Sequence, residues 1–285
     1  MLSPRRPLRR LIWRTGRKIY LFARRERTNN FALNGEVDLL KAIFANLSRL
    51  RDHRVRQIFD IGANVGDWSK HALEFVDRSS VASPVIIHAF EPIPQTFQRL
   101  KQNLAKDVCA GRIVLNQLGL GEEPGSAVFR AIAESHGTNR IISEMLTTVK
   151  APDSFVTAKI TSIDNYSAVR SIDRISFIKI DAEGSDFNVL LGAKRMMIAE
   201  AIDVLQFEYN HRWVFFRRFL KDVFDFIEGR PYKIGKLSMG RIELLTHWHP
   251  ELERYFETNF VIAHERMLAS LPMYFGSFDA ANSYA

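Results

Sequence analysis

Apolar positions along this chain switch between helical spacing and short, largely apolar runs, and the switching sets its architecture. Val37, Leu39, Leu40, Ile43, Phe44, Leu47 and Leu50 share one helical face, which predicts a helix over 36–51. Short, largely apolar runs within 56–61, 85–91, 112–118, 175–180 and 202–207 read as buried strands. Shorter strands are expected at 126–131 and 156–160, and later ones at 232–236, 241–245 and, as the last, 260–264. Helical patterns lie between: 67–76 with Asp67 as N-cap, and one with Pro94 early and Phe97, Leu100 and Leu104 inward. Ser162 and Asp164 open another, one runs on from Gly184 to about Glu200, and an aromatic-rich one covers 212–228. Over 134–154 the pattern weakens, and Gly137, Thr138, Asn139 and Pro152 mark an irregular segment. Strands alternating with helices predict an α/β, Rossmann-like fold, a mostly parallel sheet with helices on both faces.

The chemistry gathers at strand ends. In Phe59-Asp60-Ile61-Gly62-Ala63-Asn64-Val65-Gly66-Asp67-Trp68 a strand, a glycine turn and a helix start follow one another. Gly62 and Gly66 lack a Cβ and would let the backbone approach a ligand, beside the N–H groups of the next helix. Asp60 stands at the carboxyl end of its strand, where open α/β sheets bind ligands. Glu91 ends the next strand, where an acid accepts hydrogen bonds from a ribose diol. The turn is Gly-x-x-x-Gly, neither the Gly-x-Gly-x-x-Gly of dinucleotide folds nor a P-loop. A nucleoside without a pyrophosphate fits it, S-adenosylmethionine being the common one, with Asp60 or nearby backbone facing the methionine ammonium. The missing pyrophosphate turn disfavours a nicotinamide-dependent oxidoreductase.

Three segments, Phe59 to Gly66, Phe90-Glu91-Pro92 and Ile178-Lys179-Ile180-Asp181-Ala182-Glu183-Gly184, resemble those of the FkbM-type S-adenosylmethionine-dependent methyltransferases. The resemblance runs from about Arg56 to about Arg266. It implies the class I methyltransferase fold, with a seven-stranded, mostly parallel sheet whose last strand is antiparallel. It also implies S-adenosyl-L-methionine held by Asp60, Gly62, Ala63, Asn64, Gly66, Asp67, Trp68, Glu91, Pro92 and Asp181. The acceptor it implies is a hydroxyl on a small molecule, carbohydrate or lipid-linked glycan. Residues 134–154 would then lie near the mouth of the site, or form an ordinary surface connection. An acceptor hydroxyl needs a base, and His211 and Glu183 are the candidates, with Asp181 beside them. Asp181 could instead hydrogen-bond the glycine loop, and Glu208 and His211 could orient loops. Asp181, Glu183, Glu208 and His211 could also ligate a divalent ion, but their spacing is not diagnostic and no metal is predicted. His247-Trp248-His249 reads as a loop before a helix start. N-methylation, or a non-catalytic nucleoside-binding scaffold recruited to a membrane, are the alternatives.

Charge divides the chain. Residues 1–30 hold ten Lys/Arg and one acid, a net of +9; the whole chain is +8, so residues 31–285 carry −1. A near-neutral body gives a nucleic-acid partner little support. Within residues 1–30, Leu8, Leu11, Ile12, Thr15, Ile19 and Phe22 follow helical spacing among arginines. That pattern suits the surface of an anionic membrane, imitates a mitochondrial presequence, or is a solvated basic extension. The divisions expected are a basic extension at 1–30, a helix packing on the core within 31–55, the methyltransferase domain at 56–266 and a tail at 267–285. One cysteine, Cys109, excludes an intrachain disulfide and reads as a small packing residue. No apolar run reaches membrane-spanning length, so a cytoplasmic protein is expected, at the membrane's inner face if residues 1–30 bind there.

Overall fold

The structure, a computed structural model, describes residues 6–26, 30–50, 52–131, 140–141, 154–281 and 283–284. In chain order the elements are α1 (Arg6–Ala23), α2 (Glu36–Leu47), β1 (Arg56–Ile61), α3 (Asp67–Arg78), β2 (Val85–Phe90), α4 (Pro94–Asn103) and α5 (Ala105–Cys109). Next come β3 (Ile113–Asn116), β4 (Gly119–Leu120), β5 (Gly125–Ala131), β6 (Arg140–Ile141), β7 (Ser154–Thr161), α6 (Ile163–Val169) and β8 (Ile175–Ile180). The chain continues through α7 (Asp186–Leu191), α8 (Lys194–Ile198), β9 (Ile202–Tyr209), α9 (Leu220–Ile227) and β10 (Tyr232–Ser238). It closes with β11 (Arg241–Leu245), β12 (Thr258–His264) and β13 (Met273–Gly276).

Seven strands lie in the order β3-β2-β1-β8-β9-β12-β10, parallel except that β12 runs against both neighbours. This is the doubly wound, class I methyltransferase sheet, with its topological switch between β1 and β8. Beyond β10, β11 pairs antiparallel and β13 pairs parallel to β11, so among the described residues the sheet has nine strands and 260–264 is not the last of them. A second sheet, β4-β7-β5-β6, stands beside it.

Alternation along the strands divides the core into two layers. Ile58, Ile87, Phe177 and Val204 face α2, α3 and α4, whose Leu40, Leu73 and Leu100 are buried there. Phe59, Ile178, Ile180 and Phe207 face the other way, onto Tyr166 of α6, Leu190 of α7, Met197 of α8 and Val223 of α9.

Local chemistry moves several expected boundaries. Gly66, at φ 94°, is the N-cap of α3, and its carbonyl accepts from Lys70 N–H at 3.0 Å; Asp67 is the first helical residue and is exposed. The helix expected from Gly184 to Glu200 is two, interrupted at Gly192. A Cβ there would lie 2.0 Å from the carbonyl oxygen of Gly121, so a side chain cannot enter. The aromatic helix expected over 212–228 is a 3-10 turn, His211–Phe216, followed by α9. Arg217, at φ 53°, separates them, and Phe219 is exposed rather than core. Cys109 is also exposed, because α5 buries no residue. His249 caps the 3-10 turn Pro250–Leu252, as its loop reading anticipates. The irregular positions Gly137, Thr138, Asn139 and Pro152 lie outside the described residues. Among the described residues, no helix is long and apolar enough to cross a membrane.

Candidate active site

One register row crosses the sheet as Phe90, Ile61, Ile180 and Phe207. One step further on, Glu91, Gly62, Asp181 and Glu208 stand side by side at the carboxyl edge. Backbone hydrogen bonds carry the sheet into this row: Gly62 N–H donates to Phe90 O at 3.1 Å and Asp181 N–H to Ile61 O at 3.0 Å. Sequence-distant groups thereby meet where parallel strands end.

A cavity of about 460 Å³, counted out to its open mouth, occupies this edge. Gly62, Glu91, Pro92, Asp181 and Glu183 line it, together with Leu118, Leu120 and Phe129. The apolar wall comes partly from β4 and β5 of the second sheet. Asp60, Ala63, Asn64, Gly66, Asp67, Trp68 and His211 are not among its lining residues. Trp68 is buried in the core, its ring 5.8 Å from that of Phe177. His211 is exposed at the start of its 3-10 turn.

The glycines are required by the protein itself. Gly62 has φ 74°, and a Cβ on it would lie 1.9 Å from the carbonyl oxygen of Asp181. A Cβ on Gly66 would meet Leu100 and Leu104 at 2.9 Å. Between them Asn64, at φ 48°, turns its N–H toward Glu91. Glu91 Oε2 accepts that bond at 3.2 Å and Oε1 accepts from Ile93 N–H at 2.9 Å. Burial pushes Glu91 up to about 7, against the pull of these two amides.

Asp60 turns inward. It is fully buried, accepts from Ser69 Oγ–H at 2.7 Å and pairs with Lys179 Nζ at 3.4 Å. Lys179 also lies 3.4 Å from Asp181 and donates to Gly62 O at 3.3 Å. Burial opposes its charge, but Asp181 and Asp60 outweigh burial and hold its pKa above the usual lysine value. This lysine ties β1, the glycine loop and β8 together. In the sequence it shows only as an interruption in an apolar run.

The turn after β8 is held from within. Asp186, wholly buried, accepts from the N–H groups of Gly184 at 3.1 Å and of Ala182 and Glu208 at 3.4 Å. Glu183 adopts φ 54° and lies 2.8 Å from Arg212 Nη1, which is 4.0 Å from Glu208. Asn210 Nδ2–H donates to Glu208 at 2.6 Å. Burial, reinforced by Asp181, raises Glu183 to about 8 and Asp186 to about 7. Glu208 rises well above the ordinary carboxylate range for the same reasons. Among the described residues, no three His, Cys, Asp or Glu side chains are grouped to hold a metal ion.

The strand order, with a cavity at the carboxyl ends of β1, β2 and β8, defines a class I methyltransferase fold. The family model described as "Methyltransferase FkbM domain" matches residues 60–234, more than half of the sequence, and the chain belongs to that family. It is 27% identical over 177 residues to the 31-O-demethyl-FK506 methyltransferase FkbM of Streptomyces tacrolimicus, covering 52% of this chain and 65% of that one. It is 27% identical over 161 residues to the hexuronic acid methyltransferase AglP of Haloferax volcanii, covering 56% of this chain and 57% of that one. The chain thus spans less than two thirds of either relative. Among solved structures, methyltransferase FkbM from Methylobacillus flagellatus KT overlaps it with TM-score 0.45 and 20% identity, over 77% of this chain and 47% of that one.

Proposed function

We propose that this chain is an S-adenosylmethionine-dependent methyltransferase acting on a hydroxyl of a carbohydrate, lipid-linked glycan or small molecule. The observation that carries the reading is Glu91, a buried carboxylate lining one cavity with Gly62 and Asp181. Its oxygens, each holding one backbone amide, keep lone pairs for a ribose diol. Leu118, Leu120 and Phe129 offer an apolar wall to a flat nucleobase, and Asp181, which lines the same cavity as Gly62, is the acid for the ammonium end. The cofactor, when bound, supplies an electrophilic methyl group on a sulfonium.

The chain's own task is to align the acceptor and take its proton. Glu183 lines the cavity and is the base: ionised, its carboxylate accepts the hydroxyl proton while Arg212 holds it in place. His211, outside the lining, is the weaker candidate. Two relatives, a 31-O-demethyl-FK506 methyltransferase and a hexuronic acid methyltransferase, support an oxygen acceptor.

Isothermal titration with S-adenosylhomocysteine, with NAD as control, tests the reading. Binding of the first and none of the second is expected. Glu91→Ala should weaken that binding by about 1.5–3 kcal/mol, the worth of hydrogen bonds to a charged group. Unchanged affinity in this variant would remove the ribose role from Glu91.

A further inference from the structure

We propose that α1 is a lipid-surface anchor, whose apolar stripe lies on an anionic membrane at the same edge of the molecule as the active site. Leu8, Leu11, Ile12, Ile19 and Phe22 fall within an arc of about 100° on α1, and each is 61–83% exposed. Contacts to the body come from the other side of the helix. Arg17 stacks over Phe256 at 5.0 Å, and Tyr20 Oη donates to Glu251 at 3.2 Å. Just past the helix, Arg24 is buried over the ring of Tyr284, and its carbonyl accepts from Lys236 Nζ at 2.8 Å. Glu26 pairs with Arg254 at 2.7 Å. The helix is therefore fastened by its polar side and presents its apolar side outward. A helix serving only stability does the reverse.

Charge decides what covers the stripe. Helix α1 carries no acid, and Lys18 and Arg14 flank the stripe on one side and Arg9 on the other. A second copy laid stripe to stripe would bring the same positive charge against itself. Anionic headgroups complement it while acyl chains take up the apolar residues.

The helix is rooted at the working edge. Phe207 pairs with Phe260, and Phe260 with Lys236, so the row through Ile61 and Ile180 reaches Lys236 on β10. Four strand spacings put the root of α1 about 19 Å from β1 along the carboxyl edge. Glu257 lies between, lining a cavity with Arg25 and Glu26 while adding to the field on Glu183 and Glu208. A membrane beneath α1 would present a lipid-linked acceptor on this side.

Flotation of the full chain with phosphatidylcholine vesicles, with and without phosphatidylglycerol, tests the anchor. The chain should rise with anionic vesicles about tenfold more than with neutral ones, and less so in high salt. A variant carrying Ile12→Glu and Phe22→Glu should stay at the bottom while melting like the parent, since both side chains are exposed. Flotation that ignores phosphatidylglycerol, flotation unchanged in the variant, or no flotation overturns the proposal. So does a dimer in light scattering that Ile12→Glu splits. None of these readouts involves methyl transfer, so the anchor and the reaction stand or fall separately.

Discussion

A carboxyl group buried on most sides and flanked by another acid, as Glu183 is by Asp181, keeps its proton to a higher pH than one in water. A general base works only when ionised, so its fraction in working form rises as pH passes about 8. Initial methylation rates should therefore climb from neutral pH and level off above that value. Glu183→Gln should lower kcat by roughly 10²–10⁴ and remove the rise, with S-adenosylhomocysteine binding retained. His211→Ala should leave the profile in place. A pH-independent rate in the parent, or a collapse in the histidine variant alone, would move the base away from Glu183.

Lys179 is the tie between elements. It reaches Asp60 at the end of β1, the carbonyl of Gly62 in the loop, and Asp181 after its own strand. Lys179→Met fills similar space but leaves Asp60 buried opposite no cation. Breaking one partner out of a buried pair costs about 3–5 kcal/mol. A large fall in melting temperature is expected, partly restored by adding Asp60→Asn. If the single variant melts like the parent, the tie is not structural. The sequence shows the two acids, since each stands at the end of an apolar run, but not the lysine between them. The burial of its ammonium depends on strands more than a hundred residues apart. The glycine loop was legible as a turn, but not the reason for its glycines, which is the carbonyl of Asp181 and the side chains of Leu100 and Leu104. The break at Gly192 is equally remote in origin. Asp164 N–H donates to the Gly192 carbonyl, and the Asp164 carboxylate caps the N–H groups of Arg195 and Met196. No local periodicity contains these contacts. The runs 56–61 and 175–180, by contrast, needed only their short apolar stretches, and both strands have those bounds.

At the scale of the molecule, the buried acids give stability a pH dependence of definite sign. Glu91 and Asp186 are raised to about 7 and Glu183 to about 8, all above their ordinary values. A group whose folded pKa is raised contributes stability that is complete below its unfolded pKa and is lost as pH rises through the folded one. His88 acts oppositely. Buried between Tyr166 at 2.8 Å and Gln57 at 2.7 Å, it is lowered to about 4 by burial. Its contribution is present above the ordinary histidine value of 6.5 and is lost as pH falls toward about 4. Below 6.5 the single histidine offsets part of what the three acids gain; between 6.5 and 8 only the acids change. Melting temperature should therefore fall across that upper interval. Asp186→Asn keeps one carbonyl oxygen for the amides of Ala182 and Glu208, gives up the bond from Gly184 and cannot ionise, so it should lower the melting temperature throughout and flatten the fall. Scanning calorimetry of both proteins across the interval decides the matter. A parent that melts higher at the alkaline end would mean that these carboxylates are ionised in the fold at neutral pH, with cations or solvent reaching the edge of the sheet to hold them so.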